Sequence, residues 1–224
     1  MTILTYTELR DAYPLLDTRV IQALGVEPDG RPLAIDGAVG PKTRGASFLD
    51  PDALEAGVLD FAMQELLERA RESDGLNNAG PRVAKYYERP YVPRKKYGAW
   101  CAAFASWCLR QAYGTHIKRI LGAQRLGRAI AKHHSALGKL EAHELEAGDL
   151  IIWDRDGPDE GRDPSDDWHG HVGFVAHVDD AHIWTIEGNR LRYPAPVRVF
   201  RYPKDKPDMR GGPFLFGARY QEEE

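Results

Sequence analysis

Residues 170–187 read GHVGFVAHVDDAHIWTIE, two apolar runs separated by an acidic turn. Runs rich in β-branched and aromatic residues predict two strands, and Asp179-Asp180-Ala181 predicts a three-residue hairpin loop. If Val178 pairs with His182, paired positions sum to 360 and His171 lies across from Asn189. If His177 pairs with Ala181, the sum is 358 and His171 faces Glu187. In both registers His171, Glu187 and Asn189 share one face, because side chains alternate with period two. A two-residue loop gives 359 and moves Glu187 to the opposite face.

Working outward, residues 149–154, 197–202 and 214–220 carry the same strand pattern. Upstream the period changes. Leu54, Val58, Ala62, Leu66 and Ala70 recur every four residues after Asp50-Pro51, which predicts an amphipathic helix with an N-cap followed by proline. Residues 101–111 predict a second helix, with Phe104, Cys108 and Ala112 at four-residue spacing. A short helical run holds Val83, Tyr86 and Tyr87, and the chain beyond Arg119 is expected to be helical. The first fifty residues mix short helical patterns with Gly and Pro punctuation. Helices first and hairpin-spaced strands later define an α+β fold.

The chain has 224 residues, 42% hydrophobic and 29% charged, with a net charge of −4. A chain of this length buries roughly 70% of its unfolded surface, so its core needs no disulfide or metal. The balance excludes general disorder, collagen and a membrane bundle. Charge is nonetheless segregated. Residues 1–76 hold 7 Lys+Arg against 14 Asp+Glu, residues 77–147 hold 13 against 4, and residues 148–224 hold 10 against 16. The basic middle segment suits an anionic polymer. Few aromatics are interleaved at stacking spacing there, so nucleic acid is not an expected partner. The start of the chain has no basic and apolar leader pattern, and the longest apolar stretch, 100–109, is half a membrane span. The expectation is synthesis in the cytoplasm without a signal peptide and no stable membrane insertion.

Cys101 and Cys108 are the two cysteines. Seven residues along a helix separate them by roughly 10 Å, beyond disulfide reach. Cys101 stands where a loop turns into an apolar helix, and unpaired N–H groups at a helix start favour the nucleophilic thiolate. Cys108, inside the helix, reads as a packed apolar residue. A carboxylate beside His171 would fix its tautomer, and the imidazole would hold the cysteine as thiolate. His116, His133, His134 and His143 lie in polar sequence and read as solvated. His169-Gly170-His171 keeps zinc open as an alternative, but no histidine is followed by Asp at the offset of a third ligand. The acidic stretch 154–167 lacks the residue order of a calcium loop and reads as solvated.

Trp100-Cys101-Ala-Ala-Phe-Ala-Ser-Trp-Cys108, Gly148-Asp149-Leu-Ile-Ile-Trp153, Gly170-His171-Val-Gly-Phe-Val175 and Thr185-Ile-Glu-Gly-Asn189 follow in one order. In this the chain resembles the CHAP domain, the cysteine- and histidine-dependent amidohydrolase/peptidase family of papain-like cell-wall enzymes, over roughly residues 58–220. Residues 77–83 are similar to the segment that opens such domains. The resemblance implies a papain-like core, with helices against an antiparallel sheet. It makes Cys101 the nucleophile, His171 the base and Glu187 the residue orienting it, with Asn189 a further polar position of the site. Trp100 and Trp168 are taken as substrate contacts.

The resemblance also implies bacterial peptidoglycan as substrate, cut between muramic acid and L-alanine or within stem and cross-bridge peptides. Some CHAP enzymes bind calcium just before the nucleophile. Here that stretch is Arg94-Lys-Lys-Tyr-Gly98, so no metal and no cofactor are expected. Residues 35–46 (IDGAVGPKTRGA), preceded by Val20, Gln22 and Leu24, are similar to a peptidoglycan-binding repeat without its closing phenylalanine-glutamine. The expected organisation is a small helical binding-like segment at 1–50 and a catalytic domain at 51–224. The expected protein is a monomeric phage or prophage endolysin exported with the help of a holin or secretion machinery. An injected antibacterial amidase effector and a catalytically silent wall-binding or virion module are the alternatives.

Overall fold

A computed structural model describes residues 3–52, 57–132, 136–155, 169–209 and 212–221. The first fifty residues form β1 (Ile3–Thr5), α1 (Tyr6–Ala12), α2 (Thr18–Leu24), β2 (Gly25–Val26), α3 (Pro41–Arg44) and β3 (Ser47–Leu49). This segment was expected to be helical. It also contains a three-stranded sheet in the order β1-β3-β2. Strands this short carry no alternation long enough to read in sequence. Helix α1 is fixed by a capping box, in which the Glu8 amide donates to Thr5 Oγ1 and the Thr5 amide donates to the Glu8 carboxylate. The motif at 35–46 is closed by its own polar groups. Gln22 Nε2 donates to Asp36 Oδ1 at 2.7 Å, and the Gly37 amide donates to Gln22 Oε1 at 2.9 Å. Thr43 Oγ1 donates to the Ala38 carbonyl. Gln22 and Thr43 are buried, so these bonds replace water that the side chains have lost.

Next come α4 (Val58–Leu67), α5 (Pro81–Tyr86), α6 (Cys101–Tyr113) and α7 (Ala123–Ala131). The expected start of α4 at Asp50-Pro51 is corrected to Val58, with Gly57 as the cap. The Asp50 carboxylate is occupied instead by the Tyr13 hydroxyl at 2.6 Å and the Asp52 amide at 3.1 Å. Val58, Ala62 and Leu66 do point into the core. Helix α4 stops before Ala70 because Arg69 takes a left-handed φ of 53°.

The sheet is built from β4 (Leu137–Leu140), β5 (Leu150–Asp154), β6 (Gly170–Val178), β7 (His182–Glu187), β8 (Arg198–Pro203) and β9 (Phe214–Tyr220), in the order β4-β9-β5-β6-β7-β8. Every ladder is antiparallel. Strand β4 was not expected. The other five strands were each expected within one residue of both ends. The result is the expected α+β fold of papain-like kind, a helical layer against an antiparallel sheet.

Val172, Phe174 and Ala176 of β6 face the helices, with Phe104 of α6 packed edge-on to Phe174 at 6.2 Å. Ile151, Trp153, Val175, Ile183, Phe200 and Tyr202 form a smaller core on the other face. Leu9, Ile21 and Phe48 of the first fifty residues belong to the same apolar cluster as Ala62, Trp100 and Val199. The outer strand β8 ties itself to that N-terminal unit through side chains. Arg198 Nη2 donates to the Gln22 and Leu33 carbonyls, and Arg201 Nη2 donates to the Pro28 carbonyl. An edge strand is thereby covered, which removes an open template for pairing.

The β6–β7 hairpin decides the site. At its tip Val178 pairs with Ile183 and His177 with Trp184, so positions sum to 361. That odd parity would place Glu187 on the wrong face. The register then shifts between Val175 and His177, and from Val175↔Thr185 inward the sum is 360. One extra residue, Ala176, forms a β-bulge, which re-aims every side chain beyond it. Neither of the two closing pairs considered for the loop is the observed one, yet the parity they required is restored.

Candidate active site

Cys101 is the first residue of α6, and the preceding cap, Trp100, supplies no side-chain hydrogen bond to the helix. The amides of the first turn therefore retain their partial positive charge beside the thiol. Residues 101–109 are all buried, because α6 lies between α4, α5 and β6 and small side chains at 102, 103 and 105 permit close approach.

Trp100 locks this helix start in place. Its ring stacks on Tyr86 at 5.4 Å, and Nε1 donates to Glu72 Oε1 at 3.0 Å. Glu72, itself buried, also accepts from the amides of Asn78 at 2.8 Å and Ala195 at 3.0 Å. One carboxylate thus joins the segment before α5, the start of α6 and the segment after β7. Gly188 lies flat against the indole. A Cβ there would sit 2.4 Å from the Trp100 ring.

His171, near the start of β6, donates through Nε2 to Glu187 Oε2 at 2.9 Å, and both side chains are 0% exposed. Glu187 sits opposite Gly173, where a Cβ would come within 2.5 Å of its Cγ. Only a glycine leaves room for the carboxylate at this point of the ladder. Three further groups hold Glu187. Thr185 Oγ1 and the Tyr202 hydroxyl each donate to Oε1 at 2.6 Å, and Arg190 Nη1 donates to Oε2 at 3.1 Å. A carboxylate accepts only, so Nε2 carries the proton in the neutral ring and Nδ1 is the lone-pair nitrogen. Nδ1 is buried and makes no hydrogen bond to oxygen or nitrogen among the described residues.

The titration directions follow from this placement. Burial works to raise the Cys101 thiol, but hydrogen bonding and charge from His171, with the amides of Ala102 and Val172, hold it below its ordinary value. Burial works to lower His171, but Cys101 and Glu187 raise it above its ordinary value. Burial works to raise Glu187, but Arg190, His171 and Thr185 hold it below its ordinary value. Each group favours the charged form of the next, as a thiolate–imidazolium–carboxylate series requires. Cys108, by contrast, is pushed well above the ordinary thiol value by burial and by Glu65.

Of the expected site residues, the structure brings Cys101, His171 and Glu187 together. Asn189 follows β7 in a left-handed conformation, φ 62°, and no hydrogen bond of its side chain is formed among the described residues. Trp100 was expected to touch substrate. Its side chain is instead 0% exposed and engaged by Glu72 and Tyr86, so its place is in the wall behind the helix start. Trp168, His133, His134 and most of the acidic stretch, 156–167, lie outside the described residues.

Sequence reasoning missed Glu72, Thr185, Arg190 and Tyr202. Thr185 was within reach, since it lies two residues before Glu187 on one strand and must share its face. Tyr202 needs the β7–β8 register, and Glu72 has no local pattern that distinguishes it.

A helix-borne thiol against a buried imidazole–carboxylate pair at a sheet defines the papain-like class of cysteine site. Residues 92–189 match the family model of the CHAP domain, and this span contains Cys101, His171, Glu187 and Asn189. CHAP domains are generally cysteine- and histidine-dependent amidohydrolases or peptidases that act on peptidoglycan of the bacterial cell wall. No curated protein matches the chain. Among the described residues no helix is long and apolar enough to cross a membrane.

Proposed function

We propose that this protein hydrolyses an amide bond of peptidoglycan, as an N-acetylmuramoyl-L-alanine amidase or as a stem or cross-bridge endopeptidase, by a Cys-His-Glu mechanism. The observation that carries this reading is the buried His171–Glu187 pair at 2.9 Å beside a thiol held below its ordinary value. The Cys101 thiol gives its proton to His171 Nδ1, and the thiolate sulfur attacks the amide carbonyl carbon. The developing oxyanion is met by the Cys101 amide at the helix start. As the tetrahedral species collapses, the C–N bond breaks and the imidazolium delivers its proton to the leaving amine. A water molecule, deprotonated by the same nitrogen, then cleaves the thioester and restores the thiol. Glu187 keeps the ring in the required tautomer and stabilises its charged form.

In this reading residues 51–224 form the catalytic unit, and residues 1–50 are a peptidoglycan-binding-like segment packed against it. The biological role is that of a phage or prophage endolysin passing the membrane through a holin. The same chemistry serves an injected antibacterial effector, and a neighbouring immunity gene in place of a holin gene identifies that case.

Digestion of purified peptidoglycan, with products identified by mass spectrometry, tests the reading. The wild type is expected to release stems from glycan or to cut stems, and Cys101→Ala is expected to release nothing. A wild type that is inert on several wall chemotypes overturns the proposal.

A further inference from the structure

A cavity of about 1430 Å³ opens between the N-terminal unit and the outer strand β8, bordered by the turn after α4 and by residues 190–196. Among the described residues its lining holds nine arginines and four carboxylates, with no lysine or histidine. The four carboxylates are already neutralised. Glu27 pairs with Lys42 at 3.1 Å, Asp29 with Arg31 at 2.6 Å, Glu68 with Arg82, and Asp208 with Lys206 at 3.5 Å. Of the arginines, Arg31 and Arg190 are likewise paired, with Asp29 and Glu187, but others are not. Arg69, Arg71 and Arg192 are exposed on the rim and make no ion pair with any described carboxylate. Deeper, Arg198 is 3% exposed, has only carbonyl partners, and keeps a buried Nε without any hydrogen bond among the described residues. Burial pushes its guanidinium down to about 10, the response of a cation that lacks an anion.

We infer that this cavity is a binding site for an extended polyanion, and that its ligand is the row of carboxylates carried by peptidoglycan stem peptides. The inference rests on the wall-hydrolase reading for the identity of the polymer. The chemistry of the site is its own. Guanidinium forks match carboxylates in two-point geometry, and an uncompensated arginine surface attracts a repeating anion along its length. The cavity also meets the catalytic array. Arg190 and Tyr202 line it, and both donate to Glu187. The inner end of the site thus lies at the back of the carboxylate that orients His171. The +9 segment at 77–147, which the charge distribution in sequence singled out, contributes no described residue to this lining.

The test separates binding from turnover. In a Cys101→Ala background, the full chain is titrated against purified sacculi stripped of secondary polymers, sacculi that retain a phosphodiester wall polymer, and stripped sacculi with chemically amidated stem carboxylates. The triple variant Arg69→Glu/Arg71→Glu/Arg192→Glu is expected to bind stripped sacculi at least about tenfold more weakly, as three exposed charge pairs would give. Amidated sacculi are expected to show the same loss with the unsubstituted arginines, and raising salt should weaken binding throughout. In the active chain the triple variant should raise KM with kcat unchanged.

Unchanged binding of the folded triple variant to stripped sacculi overturns the inference. A loss seen only on phosphodiester-bearing sacculi overturns the carboxylate assignment in favour of phosphate. If the wild type cleaves sacculi while the triple variant binds them normally, the cavity proposal alone fails. If the wild type cleaves nothing, the wall-hydrolase reading fails.

Discussion

Among the described residues two glutamates are 0% exposed, Glu65 in the helical layer and Glu187 at the sheet, and their surroundings look alike at first. Glu65 accepts from Arg82 at 3.1 Å and from Lys85 and Tyr86. Glu187 accepts from Arg190, Thr185, Tyr202 and His171. Both are saturated, as buried charges must be. The difference is that the cations of Glu65 are an arginine and a lysine, whereas one partner of Glu187 is an imidazole next to a thiol. Glu65 can therefore only hold α4 to α5, while a change in the charge state of His171 is felt at Glu187 and back at Cys101. Saturation of a buried carboxylate is not what separates a fastening from a catalytic part. The separating feature is whether a partner can exchange its proton in the working pH range.

Glu187→Gln challenges this contrast most severely. It keeps the shape but removes the charge that favours imidazolium, and kcat/KM on peptidoglycan is expected to fall about 10²- to 10⁴-fold. The alkaline limb of the kcat/KM–pH profile should move to lower pH, since His171 then loses its proton sooner. The stability signs agree with the directions above. What Glu187 contributes is complete above its ordinary value of 4.5 and is lost as pH falls through its lower folded value. What His171 contributes is complete below 6.5 and is lost as pH rises through its higher folded value.

Glu65→Gln should have the reverse profile. Removing one partner of a buried ion cluster costs about 2–3 kcal/mol, discounted because Arg82 and Lys85 are each about one-third exposed. Urea unfolding would read that loss, and activity per folded molecule should stay within about twofold. An equal fall in kcat/KM for both variants would erase the distinction.

Two smaller changes sharpen it. Gly173→Ala forces a methyl against Glu187 Cγ, at a cost of about 1–3 kcal/mol, and should lower kcat/KM and the melting temperature together. Thr185→Val removes one of the two hydroxyls on Glu187 Oε1 and should cost about 1–2 kcal/mol, seen as roughly tenfold in kcat/KM with the acid limb shifted.

Much of this was legible beforehand in particular residues. Cys101 at the start of an apolar run and His171 at the start of a β-rich one followed from local periodicity, because side-chain direction in a helix or strand repeats with a fixed period. The start of α4 was misread because Asp50, a good N-cap in isolation, is engaged by Tyr13, 37 residues away. The short strands β1, β2, β3 and β4 were missed because four residues or fewer give no alternation to detect, and pairing rather than propensity makes them strands.

By itself the sequence determined the order of elements, the α+β class, and the types of side chain available for the chemistry, since these depend on local pattern. Only the tertiary structure decided that Glu187 meets His171. That outcome depends on one extra residue at Ala176, which reverses an odd register, and on the missing Cβ of Gly173, which leaves space for the carboxylate. The grouping of arginines from residues 19 to 201 around one cavity was equally a product of folding. Contacts between residues so far apart in the chain are set by how layers pack, and no local pattern encodes them.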